Sequence, residues 1–299
     1  MLKIVITGGL GFIFSYVTEF YVQKGWNVTV IDNLSKGSHP EILNGSFVHH
    51  NVDVATKSVV QLVREIEPDF IIHAAAISDV DYGIQDSYEV LGNNFFGNLH
   101  LFEAARQLPN LKKFIYISTD EVYGTSKTPS EENDGMFPTN PYSASKASGS
   151  LMVTAYTNTF PAMQGKIAEI RFCNIFGPRQ DTRKIFPLIK RGLKEGVALP
   201  LHNQGKGYRE YLYIKNVPEV VDLVFRKGEG IYNLTAGEGY TVNDLIKKAE
   251  IITGKKIPTY PSERVGMDIK YQTNNTKLIE LGWQPNFSFE QGFREYLGI

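Results

Sequence analysis

Six apolar runs separated by amphipathic segments fill the first 173 residues, and that alternation restricts the chain to an α/β fold. The runs cover 3–7, 27–31, 46–50, 69–73, 113–118 and 166–172. Most are rich in β-branched or aromatic residues, which suit strands buried on both faces. Helical patterns fall between them at 12–24, 56–66, 89–107 and 142–160. Parallel strands need such crossovers, so a doubly wound parallel sheet with helices on both faces is predicted. Beyond Asn174 the rhythm changes: helical patterns at 184–195, 217–226 and 241–253 alternate with short strands and Gly/Pro-rich loops such as Gly205-Lys206-Gly207. The expected organisation is a sheet domain over 1–173 and a smaller mixed α/β lobe over 174–299, with some segments of the second half returning to the sheet. Neither repeats nor a long linker interrupt the chain, so the lobes are expected to pack together.

The first strand runs into Gly8-Gly9-Leu10-Gly11, which opens the first helix. Glycines permit a tight turn and close approach of backbone to a pyrophosphate, and the helix N-terminus attracts its charge. The second strand ends in Ile31-Asp32, about 20 residues later, where an acid binds ribose hydroxyls and repels a 2′-phosphate. A Rossmann-type site for NAD rather than NADP is the expectation. Asp53, after the third strand, is placed to cap a turn or contact the adenine end. One position departs from the pattern. Spacing calls for a small residue three after Gly11, yet the chain has Phe14, whose ring must turn away or displace something.

Thr119-Asp120-Glu121-Val122-Tyr123-Gly124 follows the fifth apolar run, so a hydroxyl and two acids stand at the carboxyl end of a strand, where α/β folds bind ligands. Pro141-Tyr142-Ser143-Ala144-Ser145-Lys146 begins a helix, with Tyr142 and Lys146 four apart on one face. An ammonium beside a phenol favours phenolate and lowers a pKa that is about 10 in water. Such a tyrosine can take a proton from a sugar hydroxyl. Elimination needs one group to accept a proton and another to donate one, and two neighbouring acids in different environments can divide that work.

Charged residues make up 21% and hydrophobic ones 42%, and the net charge of −1 argues for neither nucleic acid nor an anionic membrane as partner. Cys173 is the only cysteine, which points to a reducing, cytoplasmic setting. The apolar N-terminus is too short for a signal peptide or a membrane span. His49, His50, His73, His100 and His202 lack metal-ligand spacing, and no metal is expected.

The glycine turn, Asp32, His73-Ala74-Ala75-Ala76, Asn94, the Ser118–Gly124 segment and the Tyr142/Lys146 pair together resemble the extended short-chain dehydrogenase/reductases that act on nucleotide sugars. Within that superfamily the adjacent acids look most like the dTDP-glucose 4,6-dehydratases; epimerases carry small or hydroxyl residues there. The resemblance implies NAD contacts from Gly8, Gly11, Phe12, Ile13, Asp32, Asn33, Asp53, Val54, Ala74, Ala75, Ala76, Asn94, Tyr142 and Lys146. It implies an internal redox cycle on the sugar. Tyr142, helped by Thr119, deprotonates O4 as the C4 hydride leaves; Glu121 removes the C5 proton; Asp120 protonates the departing C6 hydroxyl; the hydride returns to C6. Ser78, Thr119, Asn174, Lys184, Arg209 and Arg264 are the implied substrate contacts, Arg209 gripping phosphate. Val265 and Met267 depart from the proline and histidine of the dTDP enzymes, which leaves the nucleotide base open. The helices at 89–107 and 142–160 can pair across a homodimer, as in relatives, or serve the core of one chain. The rival readings are a 4-epimerase on the same scaffold and a non-catalytic NAD- or sugar-binding protein, at which Phe14 hints.

Overall fold

The computed structural model describes residues 2–35, 37–42, 45–264 and 270–299. Strands β1 (Lys3–Thr7), β2 (Asn27–Ile31), β3 (Val48–His50), β4 (Phe70–His73), β5 (Lys113–Thr119) and β6 (Ile167–Phe172) alternate with helices α1 (Phe12–Gln23), α2 (Ser58–Ile66), α3 (Val80–Gln85), α4 (Ser87–Ala105) and α5 (Pro141–Thr159). Then come β7 (Asn174–Phe176), α6 (Ile185–Glu195), β8 (Leu199–His202), β9 (Tyr208–Tyr213), α7 (Val217–Lys227), β10 (Gly230–Leu234), β11 (Gly239–Thr241), α8 (Val242–Thr253), β12 (Thr259–Ser262), α9 (Thr276–Glu280) and α10 (Phe289–Leu297).

The main sheet has seven parallel strands in the order β10-β6-β5-β4-β1-β2-β3. This is the doubly wound Rossmann arrangement predicted, with the topological switch between β1 and β4 and a ligand crevice outside their carboxyl ends. β10 comes from the second half of the chain and pairs in parallel with β6. A three-stranded sheet (β11-β9-β7) and a two-stranded one (β12-β8) complete the fold.

Alternation along each strand builds two cores. Ile4, Ile6, Val28, Val30, Ile72, Ile115, Ile117 and Ile170 face one way, and their core runs on without a break into Phe176, Phe186, Tyr213, Val220 and Phe293 of the second half. Val5, Ile71, Phe114, Tyr116 and Ile167 face the other way, under Val59 and Val63 of α2, Phe102 of α4 and Val153 of α5. Phe14 belongs to the first core: it is buried, and its ring stacks on Phe172 with centroids 6.1 Å apart. The ring therefore turns inward, against the end of β6.

Candidate active site

The crevice starts at the glycine turn. Gly8 has φ +67°, and a Cβ there would lie 2.8 Å from the Ala75 Cα, so only glycine lets the turn lie against the strand end of β4. Gly11 is the N-cap of α1 with no side-chain cap and no acid in the first turn. The helix thus presents backbone N–H groups and the positive end of its dipole, the donor set a pyrophosphate requires. Ala74 and Ala75 line the opposite side, their N–H groups donating to Thr7 Oγ1 at 3.2 and 3.1 Å; Ala76 is half-buried beside them. With two donors already on its oxygen, Thr7 gives its own proton to His73 Nδ1 (2.8 Å), and His73 Nε2–H meets Asn98 Oδ1 at 3.1 Å. Burial, and secondarily Lys146, hold His73 neutral with a pKa of about 3.

Asp32 is buried at the end of β2 and already accepts three hydrogen bonds, from Leu10 N (3.1 Å), Leu34 N (2.9 Å) and Ser38 Oγ (2.9 Å). The acid ties the glycine turn to the following loop, and the alcohol it holds makes the contact that a ribose hydroxyl offers. Phe12, Ile13 and Asn33 are half-buried around it. Asp53 caps its own turn through Ala55 N at 2.8 Å and accepts from Asn93 Nδ2 at 3.3 Å, while Val54 is buried. Asn94 is a clamp: its oxygen accepts from Ile77 N, and its amide donates to Ile77 O and Ser145 Oγ. These residues fit a dinucleotide, with Asp53 and Asn94 engaged in shaping the walls.

At the carboxyl end of β5, Thr119 caps a 3₁₀ turn over Asp120–Tyr123. Its hydroxyl accepts from Glu121 N (3.3 Å) and donates to Asp120 Oδ1 (3.2 Å). Asp120 is 2% exposed and its Oδ2 has no hydrogen-bond partner among the described residues. Burial, and then the neighbouring Glu121 charge, raise its pKa to about 8; Arg209 pulls the other way and Glu210 adds to the rise. Asp120 is therefore protonated at neutral pH. Glu121 is half-buried, its Oε2 accepting from Asn140 Nδ2 at 3.2 Å.

Asn140 also caps α5, in a capping box with Ser143 and with Pro141 at the first turn. Capping by Asn fixes where α5 begins, and so where Tyr142 projects. Burial, then the charges of Glu121 and Asp120, raise the Tyr142 phenol well above its ordinary value, with a hydrogen bond to Thr119 opposing. This corrects the expectation that Lys146 lowers it. Lys146 is itself 4% exposed, with its Nζ 4.6 Å from the centre of the Tyr116 ring, and burial lowers its pKa to about 7. Its ammonium has no hydrogen-bond or ion-pair partner among the described residues.

The second half supplies the far wall. Asn174 opens β7, beside Tyr211 in register. Lys184 is the half-buried N-cap of α6. Arg209 on β9 lies over the Tyr271 ring (4.3 Å) and acts electrostatically on Asp120. Arg264 pairs with Asp81 of α3 at 2.6 Å, and Arg183 bridges Asp79 (2.7 Å) and Asp181 (2.6 Å). The exposed Ser78 precedes those acids. Val265 and Met267 lie outside the described residues. Thr119, Asp120, Glu121, Tyr142 and Arg209 are thus gathered, whereas Arg264 is engaged with Asp81. Sequence reasoning missed Asn140, Glu210 and Arg183; of these only Asn140 had a local signal, an Asn before Pro at a helix start.

The family model described as GDP-mannose 4,6 dehydratase matches residues 5–296. A trifunctional UDP-glucose 4,6-dehydratase/UDP-4-keto-6-deoxy-D-glucose 3,5-epimerase/UDP-4-keto-L-rhamnose-reductase of Arabidopsis thaliana is 33% identical over 98% of this chain, which spans 46% of that longer protein. Among solved structures, the UDP-glucose 4-epimerase of Thermus thermophilus, in complex with NAD, is 29% identical with a TM-score of 0.92, covering 99% of this chain and 98% of that one. The dTDP-glucose 4,6-dehydratase of Bacillus anthracis, also with NAD, is 26% identical with a TM-score of 0.89, covering 100% and 96%. With nearly its whole length matched and its crevice built as that fold requires, the chain belongs to the GDP-mannose 4,6 dehydratase family of extended short-chain dehydrogenase/reductases.

Proposed function

We propose that the protein is an NAD-dependent nucleotide-sugar 4,6-dehydratase that makes a 4-keto-6-deoxy sugar from a nucleotide-linked hexose. The observation that carries this reading is the state of the adjacent acids. Asp120 is buried and protonated, while Glu121 is more exposed and hydrogen-bonded to Asn140. One is equipped to give a proton and the other to take one, as elimination across C5 and C6 demands. NAD bound in the crevice would supply the acceptance and return of a hydride. Tyr142 is the group placed to take the O4 proton, with Thr119 hydrogen-bonded beside it, and a bound oxidised nicotinamide, being cationic, would favour the phenolate that this step needs. Oxidation at C4 acidifies C5–H, which Glu121 removes, and Asp120 protonates the leaving C6 hydroxyl. Asn174, Lys184, Arg209 and Arg264 hold the nucleotide diphosphate, Arg264 after exchanging its Asp81 partner. The protein works in the cytoplasm as a homodimer in this reading.

A 4-epimerase is the second reading, favoured by the fold likeness to the Thermus thermophilus enzyme. Epimerisation oxidises and re-reduces one carbon and has no use for a protonated acid beside a base. Incubation with UDP-glucose and dTDP-glucose in heavy water separates the two. Deuterium at C5 of a 4-keto-6-deoxy product supports the dehydratase; a 4-epimer with unexchanged C5 refutes it. In Glu121→Gln, elimination should fall by about 100-fold or more while C4 oxidation persists.

A further inference from the structure

The face of the sheet beneath α5 carries a polar rung where a buried parallel sheet is ordinarily apolar. Thr7, His73, Tyr116 and Glu169 are register partners across β1, β4, β5 and β6. Thr7 and His73 bond each other, and the Tyr116 hydroxyl donates to Lys146 O at 3.0 Å. Glu169 differs, because it brings a carboxylate that is 0% exposed. Its Oε1 accepts from Ser150 Oγ (2.5 Å) and Arg171 Nε (2.8 Å), and its Oε2 has no partner among the described residues. Arg171 is shared out as well, with Nη1 on the Tyr123 hydroxyl (2.6 Å) and Glu132 O (3.2 Å).

A buried ion pair is weak as a stabilising device, since the lost hydration of both ions offsets their attraction. A third charge gives this one a purpose. Ser150, which holds Glu169, lies one helical turn beyond Lys146, and the Lys146 ammonium sits over the ring of Tyr116, the strand neighbour of Glu169. The titratable groups around Lys146 are His73 from β4, Tyr116 from β5 and Glu169 from β6, the last paired with Arg171, with Tyr142 one turn earlier on its own helix. We propose that Glu169 is a positioning residue that keeps Lys146 charged beneath the crevice, held in place by Ser150 and Arg171. Burial pulls the lysine down to about 7, and Glu169 is the charge that pulls it back. Without that carboxylate the charged fraction of Lys146 at physiological pH falls, and with it the positive charge beneath the crevice. Only this consequence for turnover rests on the dehydratase reading.

The test reads Lys146 directly, without sugar. The full chain is pulsed with acetic anhydride across the neutral pH range, and acetylation of Lys146 is followed by peptide mass spectrometry. The wild-type reactivity should titrate near pH 7. In Glu169→Gln the midpoint should drop by about one pH unit, a tenfold loss of the charged fraction above it. Ser150→Ala keeps the carboxylate and should leave the midpoint near the wild-type value, which separates charge from packing. If the single variant does not fold with Arg171 unpaired, Glu169→Gln/Arg171→Met leaves no orphaned ion and should show a drop in the same direction, smaller because the Arg171 charge is removed as well. An unchanged midpoint in a folded Glu169 variant overturns the proposal. A shifted midpoint in a protein that turns over no nucleotide sugar upholds it and overturns the dehydratase reading instead.

Discussion

At the residue scale, Asp120 is a group whose chemistry is far displaced from its ordinary state. A carboxyl with a pKa of about 8 is a proton donor at neutral pH, and it stops being one as pH rises through that value. The alkaline limb of kcat should therefore lie near pH 8, and Asp120→Asn should remove it while lowering kcat by about 100- to 10,000-fold. The same displacement has a stability cost of predictable sign. The folded state binds the Asp120 proton more tightly than the unfolded chain, whose aspartate titrates near 3.9, so stability falls as pH rises between those values. Asp120→Asn should lose that slope, becoming more stable than the wild type at pH 8, on the order of 1 kcal/mol or more, with little gain at pH 4. Urea midpoints at the two pH values measure it, and parallel slopes in the two proteins would refute the assignment. The identity of these acids was legible in the sequence and the resemblance implied their division of labour, but the physical cause of that division was not legible. It depends on Asn140, Arg209 and Glu210, which reach the site from other elements.

At the element scale, α5 shows how a cap reaches into chemistry. Asn140 caps the helix and holds Glu121. Asn140→Ala should cost about 1 kcal/mol for the cap, read as a lower Tm. It should also cut kcat with little change in KM, because Glu121 loses a fixing contact; a KM effect alone would argue against that role. Strands β1 to β6 and helices α1, α2, α4 and α5 could be read ahead of the structure because unbroken apolar runs and helical periodicity are local signals. The short α3 and the return of β10 to the sheet could not be placed, since their partners are distant in sequence. Nor was it evident that Asp32 already accepts three donors, as two of them come from loops with no periodic pattern. Phe14 is the instructive departure. A glycine there would match the expected spacing, but the ring has become core against Phe172. Phe14→Gly should destabilise the fold by about 4 kcal/mol or more, from the lost ring and from glycine within a helix. Denaturant unfolding checks this, and a neutral or stabilising effect would show that the position still suits a small residue.

At the scale of the whole molecule, one surface remains at odds with an isolated chain. Tyr88, Leu91 and Phe95 recur at helical spacing on α4 and are exposed, Tyr88 at 93%. α4 packs along α5, which exposes Leu151, and both helices turn their other faces to the second core of the sheet. An apolar stripe on two neighbouring helices matches a second copy of itself about a two-fold axis, where each residue meets its own symmetry mate or a neighbour on the same stripe. The homodimer assigned in the functional proposal would then bury this face and brace α5, the helix that carries Tyr142 and Lys146. Phe95→Glu/Leu151→Glu places charge in the middle of that contact without touching the crevice. Sedimentation should move from the mass of a pair to the 33.6 kDa of one chain. Turnover should fall together with assembly if α5 depends on the partner for its rigidity. A wild-type protein that sediments as a monomer at all accessible concentrations would remove the dimer and leave the stripe without that explanation.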